Sequence, residues 1–344
     1  MRVLVTGASG QLGRHVVAQL LERGYAVKAL IMPGEKLSDE LKSECYEIVE
    51  GNLIEPEVAE NAVKDVEAVI HTANLVSPLP GMSDCQFFAN NVLSTYNIAR
   101  ACGKRAEKIK RLVHVSSSAV YPNDSHIIAT CYNPVDELHP KRPVGTYAIS
   151  KLIGEEIVTS VGRETKLRFS IVRPSGICSG DAILHRWSVK FVCAILRIGQ
   201  QHPESALFMP NGRELWRELE SEAPHDALCA IYDSEGRPWL QQPVDVRDVA
   251  HGCICALESD AAIGEAFNIS APRAIPFDEA ARIISEVTGK MVVKRRVPVR
   301  WVFDLDNTKA KAMIGYRPKF DIEQMVKSAI ESGSQSSCPI CDQT

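Results

Sequence analysis

The first 24 residues leave few folds open: VLVTGASGQLGRHVVAQLLERG passes from a short β-branched run, through three glycines, into an amphipathic helix. The same alternation fills the first half of the chain. Residues 3–5, 26–30, 46–49, 68–71, 112–115 and 168–172 read as strands. Between them, PEVAENAVKDV, QFFANNVLSTYNIARACGKR and VGTYAISKLIGEEIVTSV repeat apolar residues at helical spacing. Strand, helix and strand at this cadence imply a parallel sheet, because each parallel connection needs a crossover that packs on a sheet face. The expected class is α/β, a doubly wound parallel sheet covered on both faces.

The glycine turn gives that sheet a purpose. TGASGQLG at residues 6–13 follows the first strand and opens the first helix. Gly7 suits the tight turn, Gly10 lets the backbone approach a pyrophosphate, and Gly13 permits close packing of helix on strand. Free N–H groups and the macrodipole at the helix start favour negative charge there. Ser9, Gln11 and Leu12 complete the candidate phosphate cradle. A Rossmann-type sheet that binds a dinucleotide is the expectation.

After VRPSG the rhythm fails. Residues 181–243 mix one helical run, HRWSVKFVCAILRIG, with Pro and Gly punctuation and the charged piece GRELWRELESEAPHD. Regular patterning returns in VDVRDVAHGCICALES and EAFNIS and leaves again through FDEAARIISEVTGK. The layout read from this is a dinucleotide-binding domain of residues 1–180 and 244–271. A smaller, discontinuous α/β substrate lobe takes residues 181–243 and 272–330, and 331–344 form a tail.

Composition narrows the partners. A formal charge of −4 over 344 residues offers no basic footprint for nucleic acid or an acidic membrane. No apolar run approaches the length of a bilayer span, and the apolar start at residues 3–5 is too short for a leader, so a cytoplasmic chain with a small-molecule substrate is expected. Eleven cysteines lack a framework spacing and read as reduced thiols. CPIC at 338–341 supplies only half of a tetrahedral zinc site, and no histidine and acid cluster has metal spacing, so no metal is expected.

Further along, YAISK at 147–151 sets a tyrosine four residues ahead of a lysine on one helical face, about 5 to 6 Å apart at Cβ. With GxxGxxG at the N-terminus, this pair resembles the extended short-chain dehydrogenases/reductases, of the NAD-dependent epimerase/dehydratase type. Several motifs recur in that family's order over roughly residues 1–330. GNL at 51–53 resembles the segment that touches adenine, with Asn52 replacing the usual acid beside Leu53. HTAN at 71–74 resembles the cofactor-lining segment, here Thr72, Ala73 and Asn74, and NNVLSTYNI resembles the helix bearing a structural asparagine, Asn91. VSSSAVY at 115–121 resembles the serine motif, which implies Ser117 as catalytic, Ser118 as its neighbour and rival, and Ser116 beside the cofactor. VRPSGI brings Pro174 to the same site, and VDVRDVAHG resembles a later acidic element in which Arg247 replaces one acid.

The chemistry explains the residue types. Oxidising an alcohol removes the hydroxyl proton as hydride leaves carbon for a nicotinamide ring, so a base must stand beside the cofactor. Free tyrosine, with a pKa near 10, is too weakly acidic to serve at neutral pH. A lysine ammonium on the same face stabilises the phenolate. The resemblance therefore implies Tyr147 as the base, Lys151 as its activator and ribose ligand, and Ser117 as the group that orients the substrate oxygen. His71, His114 and His251 fall in strand or helix patterns and read as packed residues. The basic run VKRRVPVRW reads as a solvated surface, and Asp136 and Glu137 as a loop or helix-start contact.

The second strand runs into IMPGEK without the acid that selects NAD or the arginine that selects NADP. Glu35 would favour NAD from the loop and Lys36 NADP; NAD is preferred. Sugar or nucleotide-sugar epimerisation leads the functional readings, followed by net dehydrogenation or reduction of a sugar, sugar acid or other carbonyl compound. A non-enzymatic dinucleotide sensor is disfavoured by the complete Ser, Tyr and Lys set, and a dehydratase by SSS where its relatives carry Thr-Asp-Glu. The resemblance also implies a homodimer through helices at 86–105 and 145–161.

Overall fold

A computed structural model describes residues 1–122, 127–180 and 182–332. Five helices and six strands alternate in its first half. They are β1 (Arg2–Thr6), α1 (Gln11–Glu22), β2 (Ala26–Ile31), α2 (Asp39–Glu44), β3 (Glu47–Glu50), α3 (Pro56–Ala62), β4 (Ala68–His71), α4 (Asp84–Gly103), β5 (Arg111–Val115), α5 (Thr146–Thr165) and β6 (Phe169–Pro174). With the later strand Ala266–Ile269, these six strands form one sheet in the order Ala266–Ile269, β6, β5, β4, β1, β2, β3. Every pairing is parallel. Each expected strand is present with ends shifted by a residue or two.

Side chains that alternate along a strand go to opposite faces, and the core follows that period. Val3 and Val5 join Val16, Val17 and Leu20 of α1 on one face, which the helix Val246–Glu258 also covers. Leu4 joins Val69, Ile98 and Val158 on the other, beneath α3, α4 and α5. A doubly wound sheet results. Its strand order reverses between β1 and β4, which opens a crevice at their carboxyl ends. The candidate residues at 7–13, 72–74 and 116–118 follow directly from the ends of β1, β4 and β5, and Pro174 is the last residue of β6.

Beyond β6 a second core gathers around aromatic rings. Phe277 lies 6.4, 5.9 and 6.1 Å from the ring centroids of Trp187, Trp239 and Trp301, in each case edge to face. The helix expected over HRWSVKFVCAILRIG begins only at Val189, because the Ser188 hydroxyl caps it by accepting from Phe191 N at 3.2 Å. Trp187, outside that helix, is free to enter the core. The charged piece forms a helix, Leu215–Glu222. In the basic run Lys294 and Arg296 are exposed, as its charge suggests, and the run also has a structural part. Val292–Arg296 is a strand parallel to Leu228–Tyr232, and Arg295 pairs with Glu218 at 3.0 Å and with Glu222. CPIC lies outside the described residues.

Phe277 is fully buried and touches three tryptophans, so Phe277→Ala removes a ring that nothing nearby can replace. A loss of about 3 to 5 kcal/mol is expected, read from urea unfolding followed by tryptophan fluorescence.

Candidate functional site

The turn after β1 is built so tightly that side chains are excluded. Gly7 has φ 64°, and a Cβ there would lie 2.8 Å from Ala73 Cα; a Cβ at Gly13 would collide with the Gly7 carbonyl. Gly10 N donates to Gly7 O at 3.0 Å and caps α1 without a side chain, and the first turn of α1 holds no acid. The helix start thus keeps N–H groups for an anion. Thr6 ties this turn to the segment after β4: Thr72 Oγ1 donates to Thr6 O at 2.7 Å, and Ala73 N to Thr6 Oγ1 at 3.3 Å. Asn74 Oδ1 is buried there with no protein partner, as an atom reserved for a ligand would be. Open N–H groups and a glycine floor fit a dinucleotide pyrophosphate, and the Asn74 oxygen suits a hydroxyl or amide donor of the same ligand.

Around this turn the other expected contacts divide. Gln11 Nε2 donates to Ser179 Oγ at 2.5 Å, which links the turn to the segment after β6. Glu35 and Lys36 are both exposed, and Ser9 Oγ donates to the Glu35 carboxylate. Of the two loop residues, the acid is the one held against the glycine turn. Asn52 Oδ1 accepts from Ile54 N at 3.1 Å, and the Leu53 and Leu12 side chains lie in the core. Asn91 is fully buried: its amide accepts from Leu75 N at 2.9 Å and donates to Leu75 O at 3.0 Å and Ser150 Oγ at 3.3 Å. It clamps the loop after β4 to α5, a structural duty.

Gly145, with φ 87°, lets the chain turn into α5, and Tyr147 stands in the first turn, half-buried. Lys151 lies one turn on, with Nζ 5.7 Å from the Tyr147 ring centroid and donating to Val115 O at 2.9 Å. Burial pushes its pKa down to about 7, against the opposing pull of Glu155. In the serine triplet, Ser116 and Ser118 are buried, and Ser116 Oγ donates to Glu155 Oε1 at 2.7 Å. Ser117 is the more accessible of the three, its Oγ accepting from Ala119 N at 3.1 Å. A cleft of about 530 Å³ brings together Tyr147, Ser117, Gln11 and Pro174, and Phe87, Trp301 and Phe303 close its apolar side.

A buried polar chain behind the cleft escaped the sequence reading. Glu155 accepts from both Arg173 Nε and Nη2 at 2.8 and 2.9 Å; Arg173 Nη1 donates to Tyr121 Oη at 2.6 Å, and Tyr121 to Asn268 Oδ1 at 2.9 Å. Glu137 Oε1 accepts from Asn268 N at 2.8 Å, which fixes that expected loop acid. The available signal was spacing, since Glu155 stands four residues after Lys151 and continues the Tyr147 stripe. The histidines pack as expected. His71 is held by Thr6 and Thr95, and His114 stacks on it at 5.6 Å with its pKa pushed down to about 3 by burial. Among the described residues no group of histidine, cysteine and acid side chains is arranged to hold a metal.

With this geometry the chain belongs to the NAD dependent epimerase/dehydratase family, whose model matches residues 3–270. It is 32% identical over 183 residues to a 4-hydroxy-2-methyl-3-oxo-4-farnesyl-3,4-dihydroquinoline-1-oxide ketoreductase of Stigmatella aurantiaca, an alignment that covers 53% of this chain and 52% of that protein. The chain thus spans about half the length of this curated relative. A UDP-glucose 4-epimerase of Azospirillum brasilense is 25% identical, with 96% of this chain and 91% of that one covered. A short-chain dehydrogenase/reductase superfamily protein of Agrobacterium tumefaciens, solved with bound NAD, superposes with a TM-score of 0.77 at 25% identity over 97% of both chains.

Burial of Lys151 carries a pH signature. Its folded pKa lies below the ordinary lysine value, so the unfolded chain binds the extra proton between pH 7 and above 10. The burden on stability is full below pH 7 and is relieved as pH rises through that window. In cofactor-free protein, Lys151→Met should raise Tm by about 2 °C or more at pH 6, an advantage that shrinks toward pH 10, as calorimetry across pH would read.

Proposed function

We propose that this chain is an NAD-dependent enzyme that moves hydride at the carbinol carbon of a sugar-class substrate, with epimerisation as its net reaction. The observation that carries the reading is the convergence of Tyr147 and Ser117 on one cleft with the Lys151 ammonium beneath the phenol. When bound, the nicotinamide ring supplies the hydride acceptor. Tyr147 takes the substrate hydroxyl proton on its phenolic oxygen, and Ser117 donates a hydrogen bond to the same substrate oxygen. Lys151 favours the phenolate through its charge. Phe87, Trp301 and Phe303 keep water from the reacting carbon. Gly7, Gly10 and Gly13 leave room for the pyrophosphate, and Glu35, beside Ser9, suits ribose hydroxyls and repels a 2′-phosphate.

Net dehydrogenation or reduction is the second reading, and a specific observation favours it. Arg186 is the one lysine or arginine among the described residues that line the cleft, which is sparse for a nucleotide diphosphate. The ketoreductase relative points the same way. Residues 181–243 and 272–330 would form the substrate lobe over the dinucleotide domain of residues 1–180 and 244–271. A homodimer through α4 and α5 is supported by the exposed Leu93, Tyr96 and Ile149 on those helices. A cytoplasmic setting is supported by nine described cysteines that form no disulfide.

Tyr147→Phe should lower kcat by a factor of about 10² or more and leave NAD affinity within twofold, measured by turnover and by calorimetric titration. An active variant would reject the role of the phenol. Net reaction is read from absorbance at 340 nm: a flat trace with full turnover and NAD retained through purification marks epimerisation, and steady NADH marks the dehydrogenase. Glu35→Ala should weaken NAD binding by about tenfold and narrow the preference over NADP, which competitive titration of the two dinucleotides would show.

A further inference from the structure

The cleft holds a charged donor that the protein does not match. Arg186 Nε is buried with no hydrogen-bond partner, and Nη1 reaches only the Cys178 sulfur at 3.4 Å, a weak acceptor. Its guanidinium makes no ion pair among the described residues. The Phe191 ring backs it at 5.7 Å, and it lies over Gly176, where a Cβ would run into Nη2. Two further cleft groups are buried without partners, the Ser175 hydroxyl and the Gln241 amide oxygen. Buried polar atoms left unmatched destabilise a fold, so three of them lining one cleft mark a surface completed by a ligand.

We propose that Arg186, with Ser175 beside Gly176, receives a single anionic oxygen group of the substrate, a carboxylate or a phosphate monoester, while Gln241 accepts from a substrate hydroxyl. A planar guanidinium offers two parallel N–H donors that match either oxyanion. One cation matches one such group better than a diphosphate, which would need a second. Gly176 keeps the guanidinium against the cleft floor, and the Phe191 face shields it from bulk water. The proposal takes from the proposed hydride chemistry only the identity of the cleft as the substrate site.

The test is calorimetric titration of NAD-loaded protein with D-glucuronate, D-glucose 6-phosphate, D-glucose and UDP-glucose. At least one of the two monoanions should bind about tenfold or more tightly than neutral glucose, and which one separates carboxylate from phosphate. Arg186→Met should bring that ligand down to the level of glucose, Arg186→Lys should retain part of the difference, and Gly176→Ala, which displaces the guanidinium, should weaken the anion with Arg186 still present. NAD affinity of each variant checks its fold. Equal binding of glucose and both anions, no binding by either anion, or UDP-glucose binding untouched by Arg186→Met would each overturn the proposal. The same titration on Tyr147→Phe keeps the two readings apart: anion binding that persists without turnover supports the subsite, and turnover that persists defeats only the role of Tyr147.

Discussion

A carboxylate with no access to water holds the working parts of this molecule in register. Burial alone would raise the Glu155 pKa, yet Arg173 and Lys141 hold it below the usual carboxylate range. Four donors converge on it: Ser116 Oγ at 2.7 Å, Arg173 Nε and Nη2 at 2.8 and 2.9 Å, and Lys141 Nζ at 2.8 Å. These come from the end of β5, from β6 and from the loop before α5, and Glu155 itself lies on α5. Helix α5 cannot turn or slide without breaking several charge-assisted bonds in a setting where an unmatched charge is worth several kcal/mol. Tyr147, eight residues and about 12 Å up the same helix, inherits its position from that constraint. Through Arg173, Tyr121 and Asn268 the restraint reaches the strand Ala266–Ile269 and the Glu137 loop.

The same arrangement bears on the charge beneath the phenol. Lys151 lies one turn from Glu155, and an acid so close would ordinarily sustain an ammonium. Glu155, however, is already matched by Arg173 and Lys141, so its attraction for Lys151 is offset by two cations. Desolvation then prevails, and the lysine pKa falls to about 7. In the proposed chemistry a weakly held proton here has a use. The ammonium is close to balance with its neutral form, so a neighbouring phenolate or a bound hydroxyl can shift its state at small free-energy change near neutrality.

What the sequence disclosed and what it withheld follow from range. The parallel sheet was legible because each strand announces itself within five residues, and the crossover rule assembles them without knowledge of contacts. Gly7 and Gly13 were legible for the same reason, since a backbone that excludes Cβ leaves only glycine. The strand Val292–Arg296 was hidden, because its partner Leu228–Tyr232 lies some sixty residues away and its charges pair with a separate helix. Glu155 was half-visible: its place on the Tyr147 stripe follows from helical period, but its bond to Arg173 depends on how α5 meets β6. Asn91 was legible as structural and Arg186 not at all, for nothing near Arg186 in sequence marks it as unmatched.

The two walls of the cleft are specified by different physics. On the dinucleotide side, backbone geometry decides: glycine conformations and open helix N–H groups suit any ligand that carries a pyrophosphate, and few substitutions are tolerated. On the opposite side, side chains from the end of β6, from the segment before Val189 and from residues 241–303 set the shape. A chain built this way keeps its hydride chemistry while its substrate changes. In the proposed reaction the fold, with Ser117, Tyr147 and Lys151, defines the hydride chemistry, and the choice among carbinols falls to a few side chains on the opposite wall.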